Sequence, residues 1–485
     1  MRRRHHRFAI VFVAIAGLSA CQRILPNDPN MVSTWMRTLY GAVRVERASA
    51  PVGSRIFAYA GIGLYAGMAA ANPKLPSLAG RLNGFPALPP RAPGQSYDPT
   101  LTSIAAERVI LDTLFREGLP TTVGSLNRLA DSLVAARVAD GVDHALEARS
   151  VDLGRRTGLA IVAWSRNDGF DTTRGRRYLA PTGPGLWVSD APANTYATQN
   201  QSGASQSITI GNPTNAATGG VSDRSLILDR AKLAGSAKTI PAANMAGVTE
   251  PYWGHNRPFA LTSWNECPAP MPPKFALTPG TPLYEEARQV YLVNQKLAPE
   301  QHTIALYWAD NAGESGTPAG HWLSIASQMV SERHLSGEQA AWLMALTGVS
   351  LADAFIAAWG YKFQLNVIRP RTFIRATIDP NWEPAIPTPP FPEYLSGHST
   401  VSAAAAATLT GVLGPVPFED STSVTIGHAV RKFASFRAAA YEAGMSRIYG
   451  GIHYPSANVA GGDLGRCISA KILARFNGGA MNWVP

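Results

Sequence analysis

The fold of the C-terminal half turns on one stretch of sequence: Pro389-Pro390-Phe391-Pro392-Glu393-Tyr394-Leu395-Ser396-Gly397-His398, followed by a run of alanines. The prolines predict a rigid loop, and the alanine-rich run predicts a helix that ends near Gly414. Ser396, Gly397 and His398 therefore lie at a helix N-terminus. Unpaired backbone N–H groups and the helix dipole favour an anion at that position.

Two cations precede this loop on a predicted helix. Ser336 begins one helix through a capping box, and Ser350 is predicted to begin the next, which contains Lys362 and Arg369. Seven residues are nearly two turns, so both side chains are expected on one helix face, about 10 Å apart along the axis. Pro370 disfavours helical geometry at the residue before it, so the helix is expected to end near Arg369.

A third cation and a second histidine follow in Ser446-Arg447-Ile448-Tyr449-Gly450-Gly451-Ile452-His453. Arg447 and His453 are six residues apart and would occupy different faces of one continuous helix. The Gly450-Gly451 pair is expected to break the backbone there, which would let both side chains turn into the same pocket.

Taken together, the three blocks resemble the signature of the vanadium haloperoxidases and the type-2 phosphatidic acid phosphatases. The likeness covers roughly residues 305–466 and is closer to the haloperoxidases, because Trp359 stands three residues before Lys362 and Phe391 seven before His398. Asp310 matches the carboxylate that holds the pocket arginine in that family.

The resemblance implies a role for each residue in a single pocket. His453 would bond to vanadium as its ligand, or attack phosphorus as a nucleophile. His398 would act as general acid/base on the opposite side, and Asp310 would orient the pocket. Trp359 and Phe391 would line the halide or substrate pocket. The oxyanion itself would be held by a cationic and hydrogen-bonding set comprising Lys362, Arg369, Ser396, Gly397 and Arg447.

One position departs from the family pattern. An Asp usually stands four residues after the last histidine and orients its ring, but here that residue is Ala457. Asn458, Asp463 or a backbone carbonyl could take its place. The departure bears on how strong a nucleophile His453 can be.

The N-terminus predicts export. Residues 1–7 are basic, and a short apolar stretch then ends in Leu18-Ser19-Ala20-Cys21, which resembles a bacterial lipoprotein box. The resemblance implies removal of a 1–20 signal peptide and a lipid anchor on Cys21, in the periplasm or outer membrane; the alternative is an ordinary secretory signal. Cys267 and Cys467, the remaining cysteines, are then either a disulfide, which is favoured in an oxidising envelope, or two buried thiols.

Helical periodicity predicts a mainly α protein, and the resemblance implies two helical bundles of the vanadium haloperoxidase type, with long loops and an irregular insertion. The expected divisions are a helical region over 21–182, a loop-rich insertion over 183–245 and a helical domain over 246–485 that carries the pocket. Four arginines lie in the leader, so the formal charge of +10 falls to +6 in the mature chain. That modest excess, without a basic run, argues against nucleic-acid binding.

Three functions remain open. The first is a vanadate-dependent haloperoxidase that uses hydrogen peroxide and halide. The second is an acid phosphatase, without a cofactor, that hydrolyses phosphate monoesters through a phosphohistidine. The third is a non-catalytic oxyanion-binding lipoprotein. The length of the chain, with Trp359, Phe391 and Asp310, favours the first. The sequence does not define the oligomeric state.

Overall fold

The computed structural model describes residues 27–189 and 248–480. The predicted signal peptide, the lipidation site Cys21 and all but the first residues of the 183–245 insertion lie outside the described residues. Within the described ranges the chain is mainly helical, as predicted, and its strands form a single two-stranded sheet.

The helices run in two groups along the chain. Those before the insertion are α1 Pro29–Val45, α2 Ala50–Ala71, α3 Pro99–Leu114, α4 Pro120–Ala139, α5 His144–Ser165 and α6 Phe170–Thr173. Those after it are α7 Pro282–Gln295, α8 Pro299–Tyr307, α9 Thr317–Glu332, α10 Gly337–Leu365, α11 Pro370–Thr377, α12 Gly397–Leu413, α13 Phe436–Tyr449 and α14 Pro455–Arg475.

The central element is α10, a 29-residue helix that begins at the predicted Ser336 capping box. It runs without interruption past Ser350, so the separate helix predicted to begin there is wrong: Ser350 is buried, and its hydroxyl bonds to the Thr408 side chain. The helix is long and apolar enough to cross a membrane, but its most apolar stretch is 100% buried inside the protein. It is therefore a core helix.

The N-terminal bundle packs directly on this core helix. α2, α3 and α5 pack together, and α2 lies along α10 so closely that a Cβ at Gly61 would come within 2.7 Å of the Met344 carbonyl oxygen. Glycine is required there because two backbones meet. The apolar side chains of both bundles consequently form one continuous core.

In the C-terminal bundle, α12 lies between α10, α13 and α14. A Cβ at Gly461 of α14 would approach the Ser396 carbonyl oxygen to 2.7 Å, so α14 closes over the start of α12. Cys267 and Cys467 form a disulfide that ties the segment before α7 to α14. A short antiparallel hairpin, β1 Phe418–Asp420 with β2 Arg431–Phe433, joins α12 to α13.

Candidate active site

His453 lies in the turn between α13 and α14. Helix α13 ends at Tyr449, and Gly451 adopts a φ of +76°, so the chain reverses at the glycine pair as expected. The His453 ring is 2% exposed, and its Nδ1 lies 2.8 Å from Oε1 of Glu393, which also accepts the Tyr454 backbone N–H. This pairing places the Nδ1 proton toward the carboxylate and leaves the Nε2 lone pair facing the pocket.

Glu393 was not predicted from the sequence. It lies in the proline-rich loop that opened the sequence analysis, five residues before His398, and is fully buried. A charged residue inside an otherwise apolar and proline-rich loop was the available signal, since a buried carboxylate needs a partner. The alternatives named for Ala457 do not contact the ring: Asn458 bonds to Gly444 and Ser399, and Asp463 pairs with Arg466.

Lys362 and Arg369 reach the pocket from different elements. Helix α10 ends at Leu365, Asn366 adopts a left-handed φ of 51°, and Arg369 is the N-cap residue of α11. The predicted shared helix face is therefore wrong. The left-handed residue ends the helix one turn early, and an extended segment redirects Arg369.

Carbonyl groups of the proline-rich loop anchor both cations. The Lys362 Nζ donates to the carbonyl oxygens of Pro392 and Glu393 at 3.0 and 2.9 Å. Arg369 donates through Nε to the Phe391 carbonyl at 2.8 Å and through Nη1 to that of Ile452 at 2.9 Å. The same Nη1 lies 3.3 Å from Nε2 of His453, and with the ring proton on Nδ1 it donates to the Nε2 lone pair.

Arg447 enters from the last turn of α13 and is 2% exposed. Its Nη2 donates to the backbone carbonyls of Trp308 and Ala305 at 2.8 and 3.2 Å, and its Nε donates to the Ser446 hydroxyl at 3.0 Å. The guanidinium is thus held in place by neutral acceptors. Its charge remains available to an anion.

Asp310 differs from its predicted role. Its carboxylate accepts from Nδ1 of His321 at 3.0 and 3.1 Å, whereas the Arg447 guanidinium donates to backbone carbonyls. The cause is that α9 brings the His321 ring against Asp310. Asp310 still acts on Arg447 through its charge: burial lowers the pKa of Arg447 to about 10, and Asp310 opposes that lowering.

Ser396, Gly397 and His398 form the N-terminus of α12, as predicted. The Ser396 hydroxyl caps the helix by accepting the Ser399 N–H at 3.4 Å. A Cβ at Gly397 would lie 3.5 Å from the Trp359 ring and 3.9 Å from Cε of Lys362, so this turn packs against the cationic wall. His398 lines the cavity, and its enclosed Nε2 has no hydrogen-bond partner among the described residues.

The electrostatics favour an anion. Burial, reinforced by Arg369, lowers the pKa of Lys362 well below its ordinary value. Burial and neighbouring cations also hold the pKa values of His398 and His453 well below theirs. Burial raises the pKa of Glu393 to about 7 although Lys362 opposes it. Such an excess of buried positive charge is costly unless an anion compensates it.

A cavity of about 120 Å³ is bordered by His398, Arg447, Trp359 and Phe391, whereas Lys362, Arg369 and His453 are not among its lining residues. The Trp359 and Phe391 rings lie 4.9 Å apart, and Trp359 donates its indole N–H to the Thr249 carbonyl at 3.0 Å. Lys362 and Arg369 also lie over the Phe391 ring. Lys362 Nζ is 5.0 Å and Arg369 Cζ 4.9 Å from the ring centroid. The two rings form an apolar wall beside the charged groups.

Fold and site together define a helical protein whose C-terminal bundle gathers three buried cationic side chains, a helix N-terminus and two histidines. The comparisons agree. The family model for the VCPO second helical-bundle domain matches residues 342–478. A crystal structure of the first bacterial vanadium-dependent iodoperoxidase superposes with a TM-score of 0.76 at 30% identity, covering 93% of this chain and 97% of that one.

Two further proteins resemble this chain. The vanadium chloroperoxidase of Curvularia inaequalis is 27% identical, in a match that spans 34% of this chain and only 37% of that enzyme. The apo-type bacterial vanadium-dependent chloroperoxidase shares the fold, with a TM-score of 0.60 at 14% identity over 89% of this chain and 94% of that one. This chain belongs to the vanadium-dependent haloperoxidase family.

Proposed function

We propose that this protein is a vanadate-dependent haloperoxidase that oxidises halide with hydrogen peroxide. In the overall reaction the peroxide O–O bond breaks, the halide loses two electrons, and a proton is taken up to give hypohalous acid and water. The observation that carries the proposal is the Glu393–His453 pair inside a pocket with three buried cations. That pocket belongs to a chain 30% identical, over nearly its whole length, to an iodoperoxidase.

The residues present fit vanadate. His453 would be the ligand through Nε2, because Glu393 holds the other ring nitrogen. Lys362, Arg369 and Arg447 would compensate the negative charge of the oxygens, and the Ser396 hydroxyl and Gly397 N–H would add neutral donors. When bound, vanadate supplies the Lewis-acid centre at which peroxide is activated.

His398 is the group best suited to move protons. Its Nε2 is enclosed yet unbonded among the residues described, and its lowered pKa keeps the ring neutral and able to accept a proton. Trp359 and Phe391 exclude water from one side of the cavity, which suits a weakly hydrated halide. A cavity of about 120 Å³ has room for peroxide and a halide ion.

An acid phosphatase is the second candidate, and one specific observation favours it. The Glu393 contact supplies the orienting carboxylate that Ala457 cannot provide, so His453 could also serve as a nucleophile toward phosphorus. Both chemistries would use one pocket. They must therefore compete for it.

The experiment that separates them uses the purified mature protein, stripped of bound anion and then supplied with orthovanadate or nothing. Iodide and bromide oxidation by peroxide is measured in one arm, and hydrolysis of an aryl phosphate in the other. We expect halide oxidation only with vanadate, and slow phosphate hydrolysis that vanadate blocks. Rapid hydrolysis without vanadate-dependent halide oxidation would establish the phosphatase instead. Tight phosphate binding with neither activity would favour a binding protein.

We also propose that the chain is exported and anchored by a lipid on Cys21. The support is the leader sequence of residues 1–21, together with the Cys267–Cys467 disulfide, which suits an oxidising compartment. Labelling cells with radioactive palmitate and comparing Cys21→Ala with the parent tests this. Loss of label and of membrane association in the variant is expected. An unlabelled but exported parent would indicate an ordinary secretory signal.

A further inference from the structure

Behind the pocket, the His321 ring is held between two carboxylates. Its Nδ1 lies 3.0 Å from Asp310, and its Nε2 lies 2.8 Å from Asp420 of the hairpin strand β1. His321 and Asp420 are fully buried, and Asp310 is 8% exposed. Both ring nitrogens must donate to satisfy both carboxylates, so the ring is an imidazolium.

The charges support this protonation state. Burial opposes it, but Asp310 and Asp420 outweigh burial and raise the pKa of His321 to about 10. Burial likewise raises the pKa of Asp420, yet His321 outweighs it and brings the value to about 2. His321 and Asp420 are therefore both ionised over the physiological range, and each stabilises the charge of the other.

This cluster of charged side chains contacts Trp308, whose backbone carbonyl accepts a hydrogen bond from the pocket arginine, Arg447. The His321 and Trp308 rings stack at 4.5 Å with an interplanar angle of 12°. The Trp308 indole N–H donates to Glu442 at 3.0 Å, which fixes the other edge of the ring. The Trp308 carbonyl accepts from Arg447 at 2.8 Å and also interacts with His398. A displacement of Trp308 would thus move the guanidinium.

We propose that His321 is a positioning residue for the oxyanion pocket: clamped by Asp310 and Asp420 and stacked on Trp308, it fixes the carbonyl that aims the Arg447 guanidinium. The inference rests on the proposed function only in taking the pocket to be an oxyanion site. It holds for either a peroxidase or a phosphatase. Asp310, which the resemblance assigned to Arg447, contacts His321 instead, and it acts on the arginine through its charge.

A double-mutant cycle on anion binding tests the proposal without any assay of turnover. Dissociation constants of orthovanadate and of inorganic phosphate are measured by calorimetry for the parent, His321→Gln, Arg447→Ala and the double variant. If His321 acts through Arg447, His321→Gln weakens binding about tenfold in the parent and by less than about twofold in the Arg447→Ala background. Equal losses in both backgrounds would overturn the proposal.

The matched control is His428→Gln. The His428 ring also meets Tyr307 at 5.6 Å, as His321 does, but among the described residues it makes no ring contact with Trp308. The affinity of His428→Gln for orthovanadate and for phosphate should equal that of the parent. If His321→Gln does not fold, as judged by circular dichroism, the same cycle is run with Asp420→Asn, which removes one arm of the clamp. A smaller loss of anion affinity that disappears in the Arg447→Ala background supports the positioning role. A loss that persists in that background refutes it.

Because the readout is binding, its failure is distinct from failure of the proposed function. A protein without halide oxidation that still shows coupling between His321 and Arg447 would retain the positioning role and lose the peroxidase assignment. A working peroxidase with additive losses would retain the activity and lose the positioning role.

Discussion

Oε1 of Glu393 lies 2.8 Å from Nδ1 of His453 and also accepts the backbone N–H of Tyr454. One carboxylate thus fixes both the tautomer of the ring and the start of α14. In the family pattern an Asp four residues after the histidine serves the ring, and here Ala457 occupies that place. The carboxylate comes instead from the loop that leads to His398.

Glu393→Gln should weaken orthovanadate binding about 10- to 100-fold, because an amide no longer selects the tautomer that leaves Nε2 free. Calorimetric titration of the stripped protein measures the change. Glu286→Gln is the matched control. Glu286 is a partly buried acid that bonds to Ser456 at the start of α14, but it does not touch the His453 ring. An affinity for Glu393→Gln equal to that of the control would contradict the role assigned to Glu393.

The two pocket histidines should separate binding from turnover. His453→Ala should abolish both oxyanion binding and activity, since it removes the bond to the central atom. His398→Ala should retain binding but lower kcat on the order of a hundredfold or more, the usual size of a general acid/base contribution. Steady-state kinetics and vanadate titration on the same preparations check this. Loss of binding in His398→Ala would show that His398 holds the anion rather than moves protons.

Glu107 predicts a pH dependence of stability far from the pocket. It is fully buried in α3, and neither carboxyl oxygen has a hydrogen-bond partner within the part of the chain described. Burial raises its pKa well above the ordinary 4.5, so the folded state keeps a proton that the unfolded chain releases above that pH. The free energy of unfolding should therefore fall by about 1.4 kcal/mol per pH unit until the folded-state pKa is reached.

Glu107→Gln should make that decline shallower by about 1.4 kcal/mol per pH unit and stabilise the protein at neutral pH, because the amide is neutral in both states. Urea unfolding between pH 5 and about 8 measures it. Asp112→Asn, on the same helix but partly exposed, is the control and should leave the slope unchanged. A parent protein whose stability does not decline over this range would refute the assignment of a neutral Glu107.

The Cys267–Cys467 disulfide closes a loop with a sequence separation of 200 residues and anchors the chain before α7 to α14. Replacing both cysteines by alanine should lower the free energy of unfolding by about 2–5 kcal/mol, because the unfolded chain gains freedom. Denaturant titration with and without reductant checks this. The parent should lose stability on reduction, whereas the double variant should be insensitive to reductant. If reductant leaves the denaturant midpoint unchanged in both the parent and the double variant, the disulfide does not stabilise the protein.

Local sequence was sufficient for several parts of the site. The Ser396 cap, the alanine-rich helix, the break at Gly450-Gly451 and the Ser336 capping box are each decided by residues within one or two turns. The three motif blocks likewise indicated the oxyanion pocket and its family. The same local rules failed at Arg369, because the helix ends at a left-handed Asn366 rather than before Pro370, where the sequence predicted its end.

What the sequence by itself determined is the set of chemical groups: three cations, two histidines, an anion-favouring helix N-terminus and the cysteines Cys267 and Cys467. Only the tertiary structure decided which of these groups is the hydrogen-bonding or ion-pairing partner of which. Glu393 holds His453 across 60 residues, and His321 lies between Asp310 and Asp420, 99 residues apart from the latter. Such pairings arise because a buried charge must find a partner wherever packing brings one, and packing is set by contacts between distant segments that local propensities do not encode.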